Sequence, residues 1–322
     1  MRDLHVDLGD FQLERGDVLR DDRVTGRLYG PEGAPIIIVL GGISATRFVA
    51  DGGRNNRGWW SNLVHHGGPI DISKFQVLGY DFAPDSDSDN RPGCITTSDQ
   101  AARLKALIDS LGETKVAAVI GSSYGGMVGL QFARSYPDAL GQLCVISAAH
   151  RPYPIGVAWR GIQRRVVRLG IDADTPEAGL KLARELAMTT YRTPEEFKDR
   201  FTLKENGCGS DEKGASFDIC DYLGSRGDAF AKTMDAPRFL ALSESIDLHR
   251  VEPEDITTPT LLMTAISDQL APLSEMQELR DRLDGPSELY TFTSLYGHDA
   301  FLKEWDAMAP RLASFCEGLL DG

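Results

Sequence analysis

Val116-Ala117-Ala118-Val119-Ile120 runs straight into Gly121-Ser122-Ser123-Tyr124-Gly125, and a helical pattern follows over residues 127–135. A short, wholly apolar run reads as a strand buried on both faces of a sheet. Strand, Gly-x-Ser-x-Gly and helix in immediate succession demand a sharp turn. Small residues around Ser123 let the backbone make that turn without a Cβ clash. The helix then points its first N–H groups, which carry partial positive charge, at the turn.

The rest of the chain supplies a sheet to hold this unit. Residues 36–40, 75–80, 143–147 and 260–264 are further apolar runs, and 289–292 is a plausible last strand. Helical patterns separate them, at 98–111 and 127–135, with a final helix over 301–320 that Pro310 breaks or kinks. Alternating strands and helices imply an α/β fold with a mostly parallel central sheet. Between about residues 150 and 252 the rhythm breaks. Helical patterns at 161–169, 176–190 and 194–202 precede a polar, Gly-rich piece, Lys-Glu-Asn-Gly-Cys-Gly-Ser-Asp-Glu-Lys-Gly-Ala-Ser. The organisation expected is a core of 1–149 and 253–322 with a mostly helical lid insertion at 150–252.

With 322 residues, 42% of them hydrophobic, the chain can bury a large core. A net charge of -14 argues against a nucleic-acid partner, which requires clustered Lys and Arg. No segment has the apolar length of a membrane span, and residues 1–17 are too polar for a secretory signal. Cys94, Cys144, Cys208, Cys220 and Cys316 are odd in number and lack a CxxC spacing, which suggests free thiols, a cytoplasmic setting and no metal site.

A serine hydroxyl attacks only when a base removes its proton. Ser123 occupies the central position of the turn; Ser122 is its neighbour at the variable one. On a strand–turn–helix scaffold of this kind the partners follow in the order Ser, acid, His. Of six histidines, His5 lies before the sheet, His65, His66 and His150 are out of order, and His249 closes the insertion. His298 alone follows the fifth apolar strand. Asp268 is the only carboxylate in the loop after that strand, 30 residues before His298. The expected roles are Ser123 as nucleophile, His298 as general base and acid, and Asp268 as the group that orients the imidazole. Two backbone N–H groups should stabilise the oxyanion, from Tyr124 and from Ile43 beside Gly41 and Gly42.

Several further stretches resemble a known family. They are Gly58-Trp59-Trp60 with the segment to Phe82, Gly121 to Asp138, Leu182 to Phe197, Ser267-Asp268-Gln269-Leu270-Ala271-Pro272 and Tyr296-Gly297-His298-Asp299-Ala300-Phe301. The chain resembles the homoserine O-acyltransferases of the α/β-hydrolase superfamily, which make O-acetyl- or O-succinylhomoserine from acyl-CoA. That resemblance implies an α/β-hydrolase fold and a place in methionine biosynthesis. It implies a homodimer, no tightly bound cofactor, and acetyl-CoA or succinyl-CoA as co-substrate. It implies that Asp299 binds the acceptor's amino group and that Arg184 and Tyr191 reach the site from the insertion. An amino-acid acceptor brings both charges into a desolvated site, and both must be paired there.

The loop Gly41-Gly42-Ile43-Ser44-Ala45-Thr46-Arg47-Phe48 and the short, acidic stretch over 80–99 depart from the common family pattern. The first looks like the succinyl-using branch, and the acyl donor stays open between acetyl and succinyl. Arg160, Arg164 and Arg168 share a helix face and could line a channel for anionic CoA, as could Arg47, Arg54 and Arg57. Serine as acceptor, an esterase on the same scaffold, and a non-catalytic binding module are the rival functions.

Overall fold

The computed structural model describes residues 1–52, 57–84, 94–208 and 215–320. Its centre is an eight-stranded sheet. In chain order the strands are β1 (Arg2–Gln12), β2 (Val18–Tyr29), β3 (Ile36–Leu40), β4 (Gln76–Tyr80), β5 (Val116–Ser122), β6 (Leu140–Ile146), β7 (Thr260–Ala265) and β8 (Ser287–Phe292). They lie side by side as β1-β2-β4-β3-β5-β6-β7-β8. The pairs from β4 to β8 are parallel; β1 with β2 and β2 with β4 are antiparallel.

Every residue of β3, β4 and β7 is buried, as continuous apolar runs covered on both faces must be. One face packs on α1 (Thr97–Asp109), α2 (Tyr124–Ser135) and α8 (Leu273–Arg282), through Leu104, Val128, Phe132, Met276 and Leu279. The other packs on α9 (Trp305–Gly318) and on residues 59–75, through Met308, Leu312, Trp60 and Leu63.

Two expectations need correction. His5 does not precede the sheet; it lies in β1 opposite Thr25. The N-terminal hairpin hides its strands behind charge: Asp3 faces Arg27 and Asp7 faces Arg23 across the ladder, with bonds of 2.6 and 2.7 Å. Leu4, Val6 and Leu8 alternate with these residues and lie against the core. Charge along an edge strand also discourages pairing with other chains. The second correction concerns the last helix. Gly297–Leu302 form a 3₁₀ turn, and α9 starts only at Trp305 and continues through Pro310.

Between β6 and β7 lie α3 (Pro154–Asp172), α4 (Pro176–Tyr191), α5 (Pro194–Arg200), α6 (Asp218–Ala231) and α7 (Ala236–Leu248). They hold a small core of their own around Val167, Leu180, Phe230 and Phe239. A short strand pair, Glu205–Cys208 with Ala215–Phe217, flanks the Gly-rich piece, of which residues 209–214 lie outside the described residues.

The serine turn depends on close backbone contact. A Cβ on Gly125 would sit 2.5 Å from the Leu40 carbonyl carbon, and the Gly125 N–H donates to Gly41 O at 2.8 Å. Backbone cannot yield as a flexible side chain can. Gly125→Ala should therefore destabilise the protein by about 1–3 kcal/mol. The check is a lowered denaturant midpoint at unchanged m-value.

Candidate active site

Ser123 follows β5 directly and is the N-cap residue of α2, with φ 52° and ψ -121°. A positive φ is strained for serine, and such strain is kept where surrounding bonds over-determine it. Here the Ser123 N–H donates to Ile146 O at 2.9 Å, tying the turn to β6. The resulting pose sets Ser123 Oγ 2.9 Å from His298 Nε2. Ser122 is fully buried, with Oγ 3.4 Å from Leu40 O, so its hydroxyl points to β3.

His298 sits in the 3₁₀ turn after β8. Gly297 precedes it with φ 53°, and a Cβ there would lie 2.5 Å from Tyr191 O. Only glycine combines that conformation with that approach. His298 Nδ1 is 2.8 Å from Asp268 Oδ2. The other Asp268 oxygen accepts the N–H groups of Leu270 and Ala271 at 2.8 and 3.0 Å. Its own loop thereby holds Oδ1 and leaves Oδ2 for His298. Burial disfavours the imidazolium of His298, but the Asp268 carboxylate bonded to it and the nearby Asp299 outweigh that, raising its pKa above the ordinary 6.5.

Ser123 and His298 open into a cavity of about 300 Å³. The core contributes Gly42, Ile43, Ser147 and Asp299; the insertion contributes Trp159, Arg160, Arg184 and Tyr191. Tyr124, the first residue of α2, has no intrahelical partner for its N–H, which starts the helix beside Ser123. Arg184 lies over the rings of Tyr191 and Phe230, 5.4 and 4.9 Å from their centroids, and no carboxylate is bonded to it among the described residues. The Tyr191 ring is 6.0 Å from that of His298. The insertion thus supplies a cation and an aromatic wall to a site whose chemistry-bearing groups come from the core.

Asp299 shows something the sequence does not. Its Oδ2 accepts a 2.8 Å bond from Arg192 Nε, and both side chains are buried. Arg192 is the single residue linking α4 to the Thr193 cap of α5, and helical periodicity is silent about such a linker. Its one sequence signal is the Thr-Pro-Glu-Glu start of a helix directly after it.

The arginine stripes divide. Arg160 lines the cavity, but it and Arg164 both bond Asp247 of α7 at 2.6 Å, and Arg168 is exposed. Arg47 bonds Asp81, Arg57 reaches Asn62, and neither lines the cavity; Arg54 lies outside the described residues, as do residues 85–93 of the acidic stretch. Cys94, Cys144, Cys220 and Cys316 are free thiols, and the Cys208 side chain is not among those described. Away from the cavity, His150, Glu275 and Glu278 bring possible ligand atoms within 4.8 Å. Arg151 and Arg282 already bond those carboxylates, which makes the group an ion-pair network.

A serine on a strand–helix elbow, hydrogen-bonded to a histidine that is bonded in turn to a buried carboxylate, on later loops of a parallel sheet, defines a class. Residues 35–304 match the family model for the alpha/beta hydrolase fold, and the chain belongs to that superfamily. A homoserine O-succinyltransferase from Xanthomonas campestris pv. campestris is 39% identical, over 89% of this chain and 77% of its own. A homoserine O-acetyltransferase from Mycobacterium bovis is 30% identical, over 94% of this chain and 90% of its own. Within the superfamily, this chain is a member of the homoserine O-acyltransferase family. The fold alone does not separate transferase from hydrolase. The crystal structure of esterase E22 superposes with a TM-score of 0.87 at 22% identity, covering 98% of this chain and 99% of that one.

Proposed function

We propose that the protein transfers an acyl group, succinyl in preference to acetyl, from CoA to the hydroxyl of L-homoserine, in the cytoplasm and within methionine biosynthesis. The observation that carries this reading is the placement of opposite charges around the serine. Among the described residues Arg184 is a cation with no bonded carboxylate, and Asp299 is an anion; both line the cavity with Ser123 and His298. An amino acid entering such a site finds a partner for its carboxylate and one for its ammonium. The names of the two relatives support acyl transfer to homoserine. The more similar one, and Arg160 as a further cavity cation for a dicarboxylic acyl group, favour succinyl.

In the first half-reaction Ser123 Oγ attacks the thioester carbonyl while its proton passes to His298 Nε2. The oxyanion rests on the N–H groups of Tyr124 and Ile43. The C–S bond breaks and the thiolate leaves with the proton from His298. In the second, His298 takes the proton of the homoserine hydroxyl as its oxygen attacks the acyl carbonyl; the ester bond to Ser123 Oγ then breaks and His298 returns the proton to that oxygen. The insertion narrows the site against water, which competes for the acyl-enzyme.

Release of free CoA from succinyl-CoA and acetyl-CoA, with and without L-homoserine or L-serine, tests this reading. Release that requires L-homoserine and is faster with succinyl-CoA supports it. Serine belongs in the comparison because one methylene is worth only about 1–3 kcal/mol of discrimination. Rapid hydrolysis of simple esters with no response to any acceptor favours the esterase.

The protein also acts as a homodimer in this reading. Ile155, Ile162 and Leu169 recur every seven residues along α3 and are exposed, as is Leu182 of α4. Such a stripe is one face of a helix. Sedimentation should give a dimer that Ile162→Glu dissociates; a wild-type monomer contradicts it. Among the described residues, no helix is long and apolar enough to cross a membrane.

A further inference from the structure

The junction of α4 and α5 clasps the turn that carries His298, through three consecutive residues. Tyr191 places its ring beside His298 and its carbonyl against Gly297. Arg192 Nε donates to Asp299 Oδ2. Thr193 Oγ1 donates to Leu295 O at 2.5 Å. Arg192 is the charged member of this clasp. Its second arm, Nη1, donates to Glu196 Oε1 at 3.0 Å, and Glu196 is buried as well. The Tyr296 ring lies 5.4 Å from its guanidinium carbon. One buried guanidinium is thus shared between a carboxylate on the core turn and another on α5.

We propose that Arg192 is a positioning residue for acceptor recognition. It holds Asp299 by Oδ2 so that Oδ1 is left for the acceptor's ammonium, and Glu196 offsets the Arg192 charge so that Asp299 keeps its pull on a cation. This rests on the reading that the acceptor is an amino acid bound through Asp299.

Two physical points carry it. A carboxylate without a fixed partner rotates, and ordering it on binding costs affinity; a charge-assisted bond to a planar guanidinium orders it beforehand. No protein donor is bonded to Asp299 Oδ1 among the described residues, and Asp299 lines the cavity. The second point is charge. Arg192 and Asp299 alone would sum to zero and offer an ammonium little. With Glu196 the buried trio carries one net negative charge. Arg200 also reaches Glu196, at 3.2 Å, but its side chain is 43% exposed and water screens it.

The test compares L-homoserine with 4-hydroxybutanoate, which has the same hydroxyl and carboxylate but no amine, in the full-length wild type, Arg192→Lys and Glu196→Gln. Wild type should prefer L-homoserine. In both variants that preference, as a ratio of kcat/KM, should fall by about tenfold or more, through a raised KM for L-homoserine, while 4-hydroxybutanoate changes by less than about twofold. Glu196→Gln is isosteric and decides the matter if Arg192→Lys does not fold. A wild-type preference that survives in the folded variants overturns this inference alone. So does an equal loss for both acceptors, which marks a merely structural clasp. A wild type that does not distinguish the two acceptors overturns the acceptor reading and this inference together.

Discussion

Ser123→Ala is expected to fold normally and to lose acyl transfer by about four to six orders of magnitude. The fold should survive because, among the described residues, Ser123 Oγ has a single bonded partner, His298 Nε2, while the turn is held by backbone bonds to Ile146 and Gly41. The rate should not survive because no neighbour can replace the hydroxyl. Ser122 faces Leu40 from a fully buried position. Ser147 lines the cavity, but among the described residues no base is bonded to it. The measurement is CoA release beside circular dichroism of the same preparation. A folded Ser123→Ala protein with wild-type turnover would remove the covalent mechanism.

Asp268→Asn should lower kcat by about 10⁴-fold with the site geometry intact. The carboxylate now splits its duties: Oδ1 takes two backbone N–H groups and Oδ2 takes His298 Nδ1. In asparagine the carbonyl oxygen would keep the backbone bonds, leaving the NH₂ against His298. That group donates, so Nδ1 must accept. The ring proton then sits on Nε2, where it cannot receive the proton of Ser123. A second signature follows from charge. His298 must be neutral to act as base, and Asp268 is one of the groups that raise its pKa. Wild-type kcat/KM should therefore rise with pH through a value above 6.5, and in Asp268→Asn that limb should move to lower pH. A limb that stays in place would mean that another group titrates.

The parallel strands are legible in the sequence because they are buried on both faces and therefore read as unbroken apolar runs. The hairpin of β1 and β2 is not. One of its faces meets solvent and carries Asp3, Asp7, Arg23 and Arg27, whose signal comes from partners that only the fold brings opposite. Helix α6 is obscured by Gly224 and Gly227, poor helix formers. Gly227 is there because α6 runs close to α4, where a Cβ would lie 3.0 Å from Lys181 O. In the site, the order of Ser123, Asp268 and His298 along the chain can be read directly, and the fold brings the three within hydrogen-bond distance. Arg192 cannot be read, because a linker residue has no periodicity and its partner lies 107 residues away. Arg160 and Arg164 share a face as their spacing requires, but what that face meets, Asp247, is a matter of tertiary packing.

An acyl-enzyme on Ser123, discharged by an amino-acid alcohol, is the intermediate on which the proposed reaction turns. Intact-protein mass spectrometry after mixing with succinyl-CoA, followed by addition of L-homoserine, tests it most directly. One succinyl group is expected on Ser123 in the absence of acceptor, removed by L-homoserine with formation of its O-succinyl ester. A protein that never carries the acyl group, yet releases CoA when both substrates are present, would contradict it.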